Sequence, residues 1–252
     1  MPVVRIITGT QYSTKPFFRG RVSVVIPVFN HEEFIGQAIE SVLKQSLAEY
    51  EIIVVDDGST DHTKAKVQPY LSRVKYIYKP NGGTASALNV GINAARGSFI
   101  CWLSSDDQFL PLKLQKQIEL FQRNPELGMV YTDWHEVDTD GTIRKSYRSP
   151  DLKTRMESAL ALMRGNCING STVMIKAECF RKVGGFRENY LQGHDHDMWL
   201  RLCRYYRFGH VKEPLLLYRR HQKNLSLNPD PLHEAHHQEM YQETRAFFNL
   251  PG

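Results

Sequence analysis

Residues 22–61 read VSVVIPVFNHEEFIGQAIESVLKQSLAEYEIIVVDDGSTD, and this stretch decides the fold. Val22 to Val28 is an almost uninterrupted apolar run around Pro27, closed by the polar turn Phe29-Asn30-His31-Glu32-Glu33. Phe34, Ile35, Ala38, Ile39, Val42 and Leu43 then recur at helical spacing, and a second apolar run, Ile52 to Val55, stops at Asp56-Asp57-Gly58-Ser59. Val/Ile runs of this kind around an amphipathic helix predict strand, helix, strand in a parallel sheet covered on both faces. Ligands of such sheets collect beyond the carboxyl ends of the strands. Phe29-Asn30 and the Asp56-Asp57 pair therefore stand at the ligand edge.

The alternation continues outward. Thr60 to Leu71 reads as a helix, Val74 to Tyr78 as a third strand, Lys79 to Thr84 as a glycine-marked turn before another helix, and Ser98 to Leu103 as a strand ending in Ser104-Ser105-Asp106-Asp107. A helix follows from about Leu112 to Arg123. Beyond it Met129 to Thr132 and Trp134 to Val137 read as strand, Thr142 to Tyr147 as an antiparallel return, 152–163 as a helix, Ser171 to Ile175 as a strand, and Leu215 to Tyr218 as the last strand. The layout predicts an α/β, doubly wound, mostly parallel sheet with a smaller antiparallel part. Its expected parts are an extension (1–20, with Val3 to Ile7 as a small edge strand), a ligand half (21–125), a catalytic half (126–231) and a C-terminal helix and tail (232–252).

At 252 residues, 41% hydrophobic and 23% charged, the chain has the composition of an ordinary globular protein. A net charge of +5 without long basic blocks gives no reason to expect nucleic acid as a partner. The four cysteines have no C-x-x-C pair, so neither a zinc site nor a disulfide scaffold is indicated. The first 20 residues lack the charged head and the roughly 7–15-residue apolar core of a signal peptide. No stretch approaches the roughly 18 apolar residues of a membrane span. The expectation is a cytoplasmic protein whose membrane contact, if any, is peripheral.

Three groups of residues carry candidate chemistry. Asp106-Asp107 ends an apolar strand, where two carboxylates suit a hard divalent cation whose shell is completed by phosphate oxygens; a solvated acidic turn or helix cap explains the dipeptide equally well. Asn81-Gly82-Gly83 ahead of a helix exposes backbone N–H groups to an anion, or is a plain tight turn. Gly193-His194-Asp195-His196-Asp197 opens a helix, where the acids cap it, the imidazoles ligate a metal, or one carboxylate acts as a general base.

The chain resembles the family 2 glycosyltransferases, whose nucleotide-sugar domain typically begins VSVVIPVYN and continues VDDGSTD. Further matches are Asn81 to Gly97 against NxGxxxARNxGIxxAxG, His194 to Leu202 against EDxDLWLRL, and Tyr218 to Ser226 against YRxHxxNxS. The resemblance covers about residues 21–226. It implies the GT-A nucleotide-diphospho-sugar transferase fold and inverting transfer from a nucleotide sugar to a saccharide or lipid-linked saccharide. The carrier expected by family frequency is UDP.

By the same resemblance Pro27, Phe29, Asn30, Asp56, Asp57, Gly83 and Asn89 are expected around the nucleotide. Asp106 falls on the second carboxylate of a D-x-D metal signature for Mn2+ or Mg2+ and Asp107 on the acid after it, with the direct ligand left open; His221 is expected at phosphate or metal and Arg219 against the diphosphate. Asp195 falls on the catalytic base. Trp134, Asn169, Gly170, His194 and Asp197 are expected on the acceptor side. Three positions depart from the pattern: Leu88 stands where arginine is common, Ser104 at the first acid of the metal signature, and His194 where glutamate precedes the base. Lys79 is a candidate to replace the arginine. These departures keep open partial decay to a non-catalytic nucleotide-sugar-binding protein, and the doubly wound sheet with an acidic metal site also fits a metal-dependent sugar nucleotidyltransferase.

Overall fold

The structure is a computed structural model that describes residues 18–224, 227 and 231–251. The expected edge strand Val3 to Ile7 and the end of the Tyr218 to Ser226 segment lie outside those residues. Five strands carry the first half: β1 (Phe18–Val28), β2 (Tyr50–Asp56), β3 (Val74–Tyr78), β4 (Gly97–Trp102) and the short β5 (Gln108–Phe109). The second half adds β6 (Leu127–Val137), β7 (Ile143–Tyr147), β8 (Met174–Lys176) and β9 (Arg207–Arg219). All join one sheet in the order β3-β2-β1-β4-β8-β6-β9-β5, with β7 hairpinned onto β6. The strands β3-β2-β1-β4 run parallel, and β8 enters antiparallel between β4 and β6. This is the expected α/β architecture.

Period-two alternation explains why β1 and β2 are buried on both faces. Val24, Ile26, Ile52 and Val54 join one apolar cluster, while Val25, Ile53 and Val55 join another. The first face is covered by α1 (Ile35–Leu43), which buries Ile35, Ala38, Ile39 and Val42. The second is covered by α3 (Thr84–Ala94), which buries Ala85, Ala87, Leu88 and Gly91. Each fully buried Val or Ile stabilises the fold by about 1.5–3 kcal/mol. A Cβ on Gly91 would lie 2.2 Å from Val25 Cγ1, so that glycine sets how closely α3 approaches β1.

Three elements differ from expectation. The helix expected over Thr60 to Leu71 shrinks to α2 (Thr63–Val67) and a 3₁₀ turn at Gln68–Tyr70. The Thr60 N–H donates to Asn30 Oδ1 at 2.8 Å and the Thr63 N–H to Asp61 Oδ1 at 2.9 Å, which holds the start back, and Pro69 cannot continue the ladder. The strand expected from Ser171 becomes a 3₁₀ turn, Gly170–Thr172, because Asn169 accepts from the Ser171 N–H and from the Thr172 hydroxyl. β9 begins at Arg207 rather than Leu215, and absorbs Pro214 opposite Asp133 through a register shift against β6.

Four further helices, α4 (Lys113–Arg123), α5 (Arg155–Leu162), α6 (Ala177–Val183) and α7 (His194–Cys203), pack around the sheet, and α8 (His233–Phe248) closes over α7. A capping box between Thr154 and Glu157 starts α5. Arg187 binds α8 to the base of α7, pairing with Glu243 at 2.8 Å and with Asp197 at 3.4 Å. No helix among the described residues is long and apolar enough to cross a membrane.

Candidate active site

The loops that leave β1, β2 and β4 converge at one edge of the sheet. Asn30 has φ +53° and ties two of them together: its N–H donates to Ser59 Oγ at 3.0 Å, and its side-chain oxygen accepts from Thr60. Pro27 is buried in the ladder opposite Val55, whereas Phe29 stands 45% exposed. Asp56 is buried and accepts from the Ser59 N–H and the Tyr76 hydroxyl.

Asp57 accounts for the glycine turn. Its carboxylate accepts from the backbone N–H of Gly82 at 3.0 Å and of Gly83 at 2.7 Å, and pairs with Lys79 at 2.5 Å. The N–H groups and the lysine expected to meet a ligand phosphate are therefore held by a carboxylate of the chain itself. Asn89 is placed elsewhere as well: its amide grips the Phe186 backbone and the Glu188 side chain, 97 and 99 residues on. Leu88, at 1% exposure, packs into the core where arginine was the family expectation.

The end of β4 resolves the acidic pair. Asp106 Oδ2 lies 2.9 Å from His221 Nε2 and accepts from the Asn224 amide at 3.2 Å. Asp107, expected beside it as a ligand, is 1% exposed; it accepts from Ser171 Oγ at 2.7 Å and from the Arg219 N–H at 3.0 Å. Burial, and then the Asp106 charge beside it, raise the Asp107 carboxyl well above the ordinary range. Arg219 also differs from expectation. Its guanidinium is 1% exposed and donates to the carbonyls of Asp106, Asp138 and Thr139 and to Gln37, so it locks β9 in place instead of facing a diphosphate.

A third group joins Asp106 and His221. His31, the residue immediately after the expected Asn30, offers a ligand atom such that one from each of the three residues lies within 4.8 Å of the others. Its Nδ1 is 2.7 Å from Ser105 Oγ, and burial lowers its pKa below 6.5 against the pull of the Asp106 charge. Two imidazoles and a carboxylate form a donor set that fits a divalent cation. Sequence reasoning passed over His31 because a lone histidine in a polar turn carries no spacing signal.

The other pole is the start of α7. Gly193 adopts the left-handed region, φ +73°, and turns the chain into the helix. Asp195 is half-buried there; it accepts from the His196 N–H at 2.8 Å and from the Asn166 amide at 2.7 Å. Its neighbours face inward. His194, 4% exposed, lies against Trp102 and Phe186, and burial holds its pKa below the ordinary 6.5. Asp197, at 1% exposure, pairs with Arg201 at 2.7 Å, so the structure uses it to hold α7 and not to face an acceptor.

Residues 166–172 link the two poles. Asn166 holds Asp195, Ser171 holds Asp107 and Ser104, and Gly170 lies under Trp102, whose Cζ3 would be 2.3 Å from a Cβ there. Gly170 is thus a packing requirement, and Asn169 shapes the turn beside it. Trp134 stacks on Tyr147 at 4.0 Å within the β6–β7 hairpin and meets Tyr218 of β9 edge-on.

The family model "Glycosyl transferase family 2" matches residues 23–184, and the chain belongs to that family. An uncharacterized glycosyltransferase of Rickettsia typhi is 34% identical over 186 residues, covering 73% of this chain and 58% of that protein. The chain thus spans little more than half the length of such relatives. S. aureus TarS in complex with UDP-GlcNAc superposes with a TM-score of 0.68 at 19% identity, over 89% of this chain and 71% of that one. The mannosyltransferase PcManGT from Pyrobaculum calidifontis, in complex with GDP-Man and Mn2+, gives 0.64 at 17% identity, over 92% and 68%. At these identities the superpositions show a common fold.

Proposed function

We propose that this chain is an inverting glycosyltransferase, moving a sugar from a nucleoside diphosphate sugar to a hydroxyl of a saccharide or lipid-linked saccharide. The observation that carries the proposal is the pairing of two poles at one sheet edge of a family 2 chain: the His31–Asp106–His221 cluster and the half-buried Asp195. Asp106 and His221, with His31, would hold Mn2+ or Mg2+. Bound there, the cation would supply charge neutralisation for the diphosphate leaving group. With Lys79 and Arg219 engaged inside the protein, that role rests on the cation more than on basic side chains.

Asp195 takes the proton of the acceptor hydroxyl at a carboxylate oxygen as that hydroxyl attacks the anomeric carbon. Asn166 and the His196 N–H hold the carboxylate for this step. Asp195 as a single base, with the neighbouring Asp197 paired to Arg201, supports a single displacement with inversion. A UDP-linked donor is supported by the UDP-GlcNAc named for the S. aureus structure. The net charge of +5 supports peripheral contact with an anionic cytoplasmic membrane face, where a lipid-linked acceptor would reside. Screening UDP-, GDP- and dTDP-sugars for nucleoside diphosphate release tests the reading: release that needs both a divalent cation and an acceptor supports it, and binding without release under any acceptor refutes it.

A further inference from the structure

We infer that His31 is a metal ligand that stands in for the missing first acid of the metal signature, and that it makes the site select Mn2+ or Co2+ over Mg2+. The inference deepens the metal-assisted reading above and rests on it.

The first observation is geometric. The ligand atoms of His31, Asp106 and His221 lie within 4.8 Å of one another, although they come from the loops after β1, β4 and β9. Nδ1 of His31 is engaged with Ser105 Oγ at 2.7 Å, which leaves Nε2 for a cation and fixes the ring plane. The Phe34 ring packs against both imidazoles, 6.1 Å from His31 and 4.9 Å from His221, and limits their rotation.

The second observation concerns the acids. Ser104 occupies the position where the family pattern has a carboxylate, and it is bound to Ser171 through both its N–H and its hydroxyl. Asp107 is consumed by Ser171 and Arg219. One carboxylate therefore remains, and the other two donors are nitrogens.

That donor set has a chemical consequence. Mg2+ takes oxygen ligands in near-ideal octahedral geometry and gives up its waters reluctantly. Imidazole favours first-row transition ions, whose affinities rise from Mn2+ to Co2+ in the Irving–Williams order. A site of two imidazoles and one carboxylate discriminates against Mg2+ in a way that two or three carboxylates do not.

The test reads metal binding without turnover. The full chain, stripped with EDTA, is titrated calorimetrically with Mg2+, Mn2+ or Co2+ alone, and the Mn2+ form is studied by electron spin-echo envelope modulation. The expected order is Co2+ tightest and Mg2+ weakest, with nitrogen modulation from two imidazoles. In His31→Gln one imidazole remains, and Mn2+ affinity falls about tenfold or more, the range found when supporting groups leave a metal site. His31→Asp narrows the gap between Mn2+ and Mg2+. Equal affinity of the wild type for Mg2+ and Mn2+, or modulation from a single imidazole, would overturn the inference, and neither reading depends on a variant that folds. Two imidazoles on Mn2+ with no sugar transfer would instead refute the function and leave the ligand assignment standing.

Discussion

Asp106 and Asp107 are adjacent in the chain yet serve different partners: Asp106 Oδ2 meets His221 Nε2 at 2.9 Å, and Asp107 Oδ2 accepts from Ser171 Oγ at 2.7 Å. Asp106→Asn is expected to abolish Mn2+ binding. Asp107→Asn is expected to leave it within about threefold and to change stability by no more than about 1 kcal/mol, since the amide oxygen can accept from the Arg219 N–H while its NH2 donates to Ser171 Oγ, reversing that bond. Calorimetric titration and chemical denaturation of the two variants check this. Equal loss of metal in both would contradict the division of roles.

Gly170 lies under the Trp102 ring, and Trp102 in turn lies 5.5 Å from the His194 ring. Gly170→Ala would force a Cβ to within 2.3 Å of Trp102 Cζ3. The expected cost is about 1–3 kcal/mol, as for other overpacked sites. Displacing Trp102 disturbs the residue before Asp195, so turnover should fall more than nucleotide-sugar affinity does. Thermal melts together with separate KM and kcat values measure both effects.

His194 and His196 are buried, and that burial lowers both pKa values from the ordinary 6.5. The unfolded chain takes up protons near 6.5 that the folded chain resists. Their contribution to stability is therefore complete above about pH 6.5 and is lost as pH falls toward the folded values. His194→Phe should flatten this dependence. Urea denaturation between about pH 5 and 7.5 tests the sign: stability that rises on acidification across this window would contradict it.

The sheet could be read from the sequence because its signal is periodic. Val24 and Val25 go to opposite faces by the pleat alone, and Ala85, Leu88 and Ile92 keep to helical spacing whatever surrounds them. The site is harder because loop side chains follow no period. Nothing in Ser104-Ser105-Asp106-Asp107 reveals that Ser171, 64 residues later, draws Asp107 inward. Arg219 looked available for a diphosphate, and only the carbonyls brought beside it by β6 and the end of β4 show otherwise. Asp57 closing the Gly82-Gly83 turn is likewise a long-range pairing. His31 carried the weakest signal of all, since its partners lie 75 and 190 residues away.

Asp195→Asn compared with wild type, in nucleotide-sugar binding and nucleoside diphosphate release under saturating Mn2+, tests the central claim most directly. The amide oxygen of that variant can still accept from the His196 N–H, and Asp195 serves as the base and not as a group that holds the donor, so the donor should bind within about threefold of wild type. Release to an acceptor should fall by about 10²–10⁴, the usual worth of a positioned general base. Release at the wild-type rate would contradict the assignment of Asp195 as the base.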